Sequence, residues 1–384
     1  MSLTERSRAV LPLPAMADRV PFVALDRQHG PIREDLQRTF DRVLGASAFI
    51  LGEEVAAFED EFAAYCGTSH CVGVASGTAA LTLAFQAYGI GPGDEVIVPA
   101  HTFIASALAV VHAGATPVFC DVDDGTGLID PSAAGAAIGE RTAAILAVHL
   151  YGQVADMDAL GELAERNGLA LFEDAAQAHG ATWCGRRAGT LGVAAAFSFY
   201  PSKNLGALGD AGAVCTSDAG LAERVRALRH LGQRRKGEHE LLGWNERLDG
   251  LQAALLRVKL GHLDAWNDAR RRRAQRYRET LPPGLRLLEE RDESPCVFHV
   301  FPVRTGDRDA FRAGLEKAGV ETGIHYTPAC HGHAPFAGHR NDGFGVAETW
   351  AAEEVSLPMF EHLTEDETAR VAAACAHALT ARVA

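Results

Sequence analysis

The sequence predicts an α/β protein: a mostly parallel sheet flanked by helices, followed by a smaller α+β C-terminal domain. Two observations carry that prediction. From Cys71 to Asp174, short β-type runs alternate with segments of helix length and pattern, the signature of right-handed crossover units. Beyond Pro282, Pro283 and Gly284 the texture changes to one apolar strand run, CVFHVFPV, and one amphipathic helix, DRDAFRAGLEKAG.

In chain order, residues 1–20 read as a loose N-terminal extension in which charges alternate with Leu and Pro, without the sustained apolar core of a signal peptide. Ile32, Leu36, Phe40 and Val43 then recur at helical spacing, and Val55, Phe58, Phe62 and Tyr65 do so in the next segment, which predicts two amphipathic helices. The crossover units follow: CVGVA with TAALTLAFQAYG, DEVIVPA with IASALAVVHAG, TPVFC, AAILAV with MDALGELAERNG, and LALFED. AAAFSFY and GAVCTS complete the sheet, a helix covers Ala219 to Leu231, and a long helical pattern runs from about Leu248 through the cluster Arg270 to Arg273. The PPG turn ends it. The expected division is therefore 1–20 as extension, 21–280 as the large domain and 281–384 as the small one.

Several function classes are excluded by the totals. Across 384 residues the formal net charge is −14, which disfavours nucleic acid as a partner, although a few local donors can still hold an anionic ligand. Alanine-rich stretches are broken by charges, Gly or Pro before they reach bilayer length, so no membrane association is expected. The eight cysteines are scattered, several inside apolar runs such as TPVFC and GAVCTS; reduced, buried thiols in a cytoplasmic protein follow.

Three stretches carry chemistry. ASGTAAL, Ala75 to Leu81, falls where a strand gives way to a helix, so Gly77 and Thr78 present amide N–H groups at a helix N-terminus, a phosphate seat or simply a routine helix start. In FEDAAQAHG, Asp174 sits just past a strand; a desolvated carboxylate there needs a partner, for which a protonated ring nitrogen serves, while a helix cap is the plainer alternative. FSFYPSKNLGALGDAGAV delivers Lys203 from an aromatic strand into a glycine-rich loop. A solvated turn does not need FSFY ahead of it, and a desolvated lysine is the residue type that condenses with aldehydes. Seat, acid and lysine at strand ends of one sheet specify pyridoxal 5'-phosphate (PLP).

With those motifs in place, the chain resembles the DegT/DnrJ/EryC1/StrS family of nucleotide-sugar aminotransferases, PLP-dependent enzymes of fold type I. The resemblance runs from VPFVALDRQ to SLPMF through PAHTFIAS, HLYGQVADM, EDAAQAHGA, FSFYPSKNLGALGD, GWNERLDGLQAALL and GIHYTPACH. It implies Lys203 at the Schiff-base position, Asp174 at the pyridine nitrogen, Gln177 at the phenolic oxygen and Phe103 stacked on the ring. It further implies Gly77, Thr78 and Ser198 as phosphate ligands, with Asn245 reaching the phosphate from the other subunit of a homodimer and Arg247 beside it. Glutamate would be the amino donor and a nucleotide-linked, dTDP-type keto-deoxysugar the acceptor. The string IHYTPACHGH could by itself hold a metal; in the resemblance it lines the sugar pocket, so no metal is expected and His325, Tyr326 and His331 are candidate substrate contacts. The arginines at 270–273 read as a solvated helix face, one of which could reach a nucleotide diphosphate. Two other readings remain at this point: a sugar dehydratase of the same family, disfavoured because such relatives carry His where this chain has Lys203, and a non-catalytic PLP-binding regulator.

Overall fold

The computed structural model describes residues 19–339 and 343–380; most of the expected N-terminal extension lies outside them. The chain folds around β1 (His70–Val74), β2 (Glu95–Pro99), β3 (Thr116–Cys120), β4 (Thr142–Val148), β5 (Ala170–Asp174), the short pair β6 (Thr182–Trp183) and β7 (Arg186–Arg187), then β8 (Ala194–Ser198) and β9 (Gly212–Thr216). Seven of these form one sheet in the order β1-β9-β8-β5-β4-β2-β3. Neighbours are parallel from β8 to β3. β9 is antiparallel to both β8 and β1. That reversal has a plain cause: residues 199–211 contain no helix to carry the chain across the sheet, and a direct return must be antiparallel.

Because β9 opposes both neighbours, β1 runs in the same sense as β5 and β8. The carboxyl ends of these three strands therefore share one edge, where ligands of such sheets collect. β5 and β9 are buried along their whole length, which explains why neither shows the alternation of a half-exposed strand. The helix Gly77–Tyr88 is buried on nearly every side, matching its lack of charged residues.

Three local expectations need correction. The pattern from Leu248 to the arginines is two helices, Gly250–Leu260 and Leu263–Thr280, broken at Gly261 and His262, where glycine weakens the helix. CVFHVFPV becomes strand only at Phe301, in an element that spans Phe301–Arg304. Phe298 takes a left-handed φ of 44°, and the N–H groups of Val297 and His299 bond Gly152 and Tyr151 instead. Arg270 does not belong to a solvated face: it is buried, donates to the carbonyls of Phe298, His299 and Met359, and pairs with Glu361 at 3.0 Å. An interior guanidinium engaged in this way is not free to meet a diphosphate.

After the exposed hairpin β10 (Gln233–Arg235) and β11 (Glu238–His239), the C-terminal part forms a second, antiparallel sheet of β12 (Arg286–Leu287), β13 (Phe301–Arg304) and β14 (Glu354–Leu357). The helices Arg308–Lys317 and Glu365–Thr380 belong to this part of the chain. All eight cysteines are free, and Cys184 alone among them is exposed.

Candidate active site

At the shared edge of β1, β5 and β8 lies a cavity of about 370 Å³ whose lining includes Gly77, Thr78, Phe103, Asp174, Gln177, Ser198, Lys203, His325 and Tyr326. Nine of the twelve candidate residues thus meet in one place.

The seat is built by the turn out of β1. Ser76 caps the helix Gly77–Tyr88 by accepting from the Ala79 N–H at 3.1 Å, so the cap role and the anion-seat role coexist: the N–H groups of Gly77 and Thr78 bond no other described residue and remain for a ligand. Glycine is required at 77, since a Cβ there would lie 2.7 Å from the Ser198 Cβ. Gly212 is equally constrained by the backbone of Ser76. Seat and lysine loop are held at backbone contact.

Asp174, the last residue of β5, is buried; it accepts from the Ser106 hydroxyl at 2.7 Å and the Ala176 N–H at 3.1 Å. No cation touches it among the described residues, and it keeps acceptor capacity toward the cavity. Gln177 accepts from the Tyr151 N–H at 2.6 Å and donates to the Tyr326 hydroxyl at 2.9 Å. Its amide keeps one N–H to spare. Phe103 is 50% exposed, with its ring 5.0 Å from that of Tyr326, a bare flat face at the mouth.

Lys203 follows a turn closed by its N–H on the Tyr200 carbonyl at 2.8 Å. Burial lowers its pKa to about 8, and the Asp174 carboxylate pulls partly the other way. Burial, with the lysine charge added, also holds His179 down to about 3 and His325 to about 4, so both imidazoles are neutral. The loop is anchored from below: Phe197 and Phe199 meet Phe62 edge-on at 5.0 and 5.1 Å, and each buried ring contributes about 2–3 kcal/mol. Asn204 donates to Asn267 and to the Val297 carbonyl, and a Cβ at Gly206 would collide with the Pro201 carbonyl.

Three candidates lie elsewhere. Asn245 is exposed and bridges to His230, whose Nδ1 is 3.1 Å from Arg247; neither lines this chain's cavity. His331 is buried with its Nε2 3.0 Å from Glu348 and its ring on Phe344. Cys330 is turned to the Thr102 carbonyl. Among the described residues no cluster of three or more His, Cys, Asp or Glu side chains could hold a metal.

Sequence reasoning missed the supports. Glu173 is fully buried, accepts from the N–H groups of Gly189, Leu191 and Gly192, and pairs with His149 on the cavity wall at 3.1 Å. A carboxylate inside the apolar run LALFED was the available signal, since burial demands such partners. Tyr151 was missed too: it feeds Gln177 through its N–H and the His325 carbonyl through its hydroxyl at 2.7 Å. Its φ of 64° had no sequence marker.

Known proteins resemble this chain in sequence and in fold. A model of the DegT/DnrJ/EryC1/StrS aminotransferase family matches residues 31–376. The dTDP-3-amino-3,4,6-trideoxy-alpha-D-glucose transaminase of Streptomyces venezuelae is 48% identical over 93% of this chain and 95% of its own. The dTDP-3-amino-3,6-dideoxy-alpha-D-galactopyranose transaminase of Aneurinibacillus thermoaerophilus is 45% identical over 92% and 97%. The crystal structure of S. venezuelae DesV in complex with a ketimine intermediate superposes with a TM-score of 0.91 at 48% identity, covering 94% of this chain and 98% of that one. Motifs, fold and near-complete coverage agree, and the chain belongs to the DegT/DnrJ/EryC1/StrS family as a sugar aminotransferase of fold type I.

Proposed function

We propose that this chain binds PLP in the 370 Å³ cavity and moves an amino group from glutamate to a dTDP-linked 3-keto-deoxysugar. The observation that carries the reading is the meeting of Lys203, Asp174 and the Gly77–Thr78 seat in a single cavity. Free N–H groups, a buried carboxylate without a cation, an exposed aromatic face and a lysine of lowered pKa are the donor set that PLP requires. The names of the two transaminase relatives support amination at C3 and a dTDP carrier.

Bound PLP supplies an aldehyde for the travelling nitrogen and a ring that delocalises negative charge. Everything else falls to the chain. Gly77 and Thr78 N–H groups and the Ser198 hydroxyl would hold the phosphate; Asp174 would keep the ring nitrogen protonated; Phe103 would offer its flat face to the ring; the spare Gln177 N–H would serve the phenolic oxygen. Lys203 Nζ takes the α-proton of the donor amino acid and, in the second half of the cycle, delivers a proton to the sugar carbon that becomes the amine-bearing carbon. Tethering this base next to the reacting carbon is worth an effective concentration on the order of 10⁵ M or more.

Asn245 and Arg247 would serve the cavity of a second copy in a homodimer. Support comes from the apolar side chains left uncovered here: Phe40, predicted as core, is 39% exposed, Leu44, Phe49 and Ile50 stand beside it in sequence, and Leu242 is 99% exposed next to Trp244. Such clustering of exposed apolar residues marks an interface. The test is to mix protein, PLP and glutamate, then present the aminated form with a panel of dTDP-ketosugars. Discharge by a 3-keto sugar is expected; discharge by a 4-keto sugar alone overturns the C3 assignment, and failure of Lys203→Ala to abolish transfer overturns the role of Lys203.

A further inference from the structure

Glu354 and Ser356 on β14 lie behind His325, whose ring lines the cavity. Three of the four polar groups of His325 are committed. Its backbone N–H donates to Glu354 Oε2 at 2.6 Å, its carbonyl accepts from the Tyr151 hydroxyl at 2.7 Å, and its Nδ1 lies 2.8 Å from Ser356 Oγ. The fourth, Nε2, bonds no described residue. Phe22 stacks on the ring at 5.7 Å. Ser356 in turn donates to Glu354 Oε1. Glu354 is fully buried and has no ion pair among the described residues, a costly arrangement for a carboxylate.

The hydrogen-bond directions follow from proton counting. An ionised Glu354 has no proton to give, so the single Ser356 hydroxyl proton must point at it. Ser356 Oγ can then only accept from His325, which puts the ring proton on Nδ1. A neutral imidazole carries one ring proton, so Nε2 is left as a bare acceptor.

We propose that Ser356 and Glu354 are positioning residues that fix the tautomer of His325, so that Nε2 accepts a hydrogen bond from a ring hydroxyl of the acceptor sugar. The proposal rests on the aminotransferase reading for the identity of the ligand, but not for the tautomer. Burial holds His325 neutral with a pKa of about 4. Burial lifts Glu354 to about 7, opposed by the Ser356 hydroxyl, the His325 N–H and the charges of Arg308 and Arg312. Tyr151 and Tyr326 also face it. Arg304, its cross-strand neighbour, is instead turned to Asp124 and Glu353. Below about pH 7 a protonated Glu354 can donate to Ser356, the serine hydroxyl turns to Nδ1, and the ring proton moves to Nε2. The acceptor then becomes a donor, and binding of the hydroxylated sugar weakens.

Nitrogen-15 NMR of the histidine-labelled chain at pH 8, without PLP, reads the tautomer directly, with His325 assigned by its absence in His325→Gln. Wild type should carry the proton on Nδ1. In Glu354→Gln the amide oxygen must keep the His325 backbone N–H, so its NH₂ donates to Ser356 and the ring proton is expected on Nε2. Ser356→Ala should give a mixture, and Ser356→Thr should restore Nδ1–H. A wild-type ring protonated on Nε2, or one tautomer common to wild type, Glu354→Gln and Ser356→Ala, overturns the proposal. With the loaded enzyme, Glu354→Gln should raise KM about tenfold, the worth of one buried hydrogen bond, for a ketosugar that bears a hydroxyl beside the carbonyl. KM for its deoxy analogue should not change; equal losses for both sugars overturn the ligand assignment. Failure of the aminotransferase reading would leave the NMR result standing.

Discussion

The lowered pKa of Lys203 predicts how fast the empty protein captures PLP as a function of pH. An ordinary lysine with a pKa near 10.4 is neutral in about 0.04% of molecules at pH 7. At the value of about 8 set by burial against the opposing pull of Asp174, about a tenth of molecules present a free amine. That is roughly a 230-fold gain in reactive lysine at pH 7. The assay is stopped-flow absorbance after mixing apo-protein with PLP between pH 6 and 10, normalised at each pH to the rate constant of the neutral form of a simple alkyl amine, which removes the ionisation of PLP and keeps that of Lys203. The rate should rise tenfold per pH unit and level off near pH 8. Asp174→Asn removes a charge that favours the ammonium, so its plateau should begin at lower pH. A rate that climbs past pH 9.5 without a break would refute the claim that the loop desolvates Lys203, and a shift upward in Asp174→Asn would refute the assigned sign.

Other perturbations test the supports. Gly77→Ala places a methyl 2.7 Å from the Ser198 Cβ; the seat must open, and equilibrium dialysis should show PLP affinity down at least tenfold with the far-UV circular dichroism unchanged. Asn245→Ala and Lys203→Ala should each be defective alone, yet recover activity in mixed dimers, where one composite site has both residues; verified mixed dimers without recovery would rule out shared sites. Lys259, fully buried with its Nζ 3.3 Å from His29, is held near 8 by burial, with Glu361 opposing. A lysine whose folded pKa is depressed costs stability while both states are protonated, and the cost is relieved as pH rises from about 8 toward the unfolded value. Lys259→Met should therefore raise Tm at pH 7, by up to about 3 kcal/mol in stability, and the advantage over wild type should vanish above about pH 10. An advantage that persists there would contradict the desolvation account.

What could be read from the sequence was whatever local pattern controls. The crossover strands show as short apolar runs because both faces of the sheet are covered, and Lys203, Asp174 and Gly77 stand out because polar or glycine residues at strand ends break those runs. Long-range partners leave weaker marks. Nothing near Arg270 announces that Glu361 and three carbonyls await it, so an arginine cluster reads as solvated although its first member is interior. The antiparallel entry of β9 depends on where a loop returns, not on the composition of GAVCTS. Likewise Asn204, Tyr151 and Glu354 matter through neighbours 63 to 174 positions away, or through a pair of residues on one strand. Only an ionisable residue inside an apolar run, as with Glu173, gave a readable sign.

The chain has four lysines, Lys203, Lys236, Lys259 and Lys317, which makes one measurement decisive. Borohydride reduction of the PLP-loaded protein, followed by peptide mass mapping, should find the reduced adduct on Lys203 alone, and none in Lys203→Ala. An adduct confined to another lysine, or an unlabelled Lys203 in a protein that still transfers amino groups, would contradict the account at its centre.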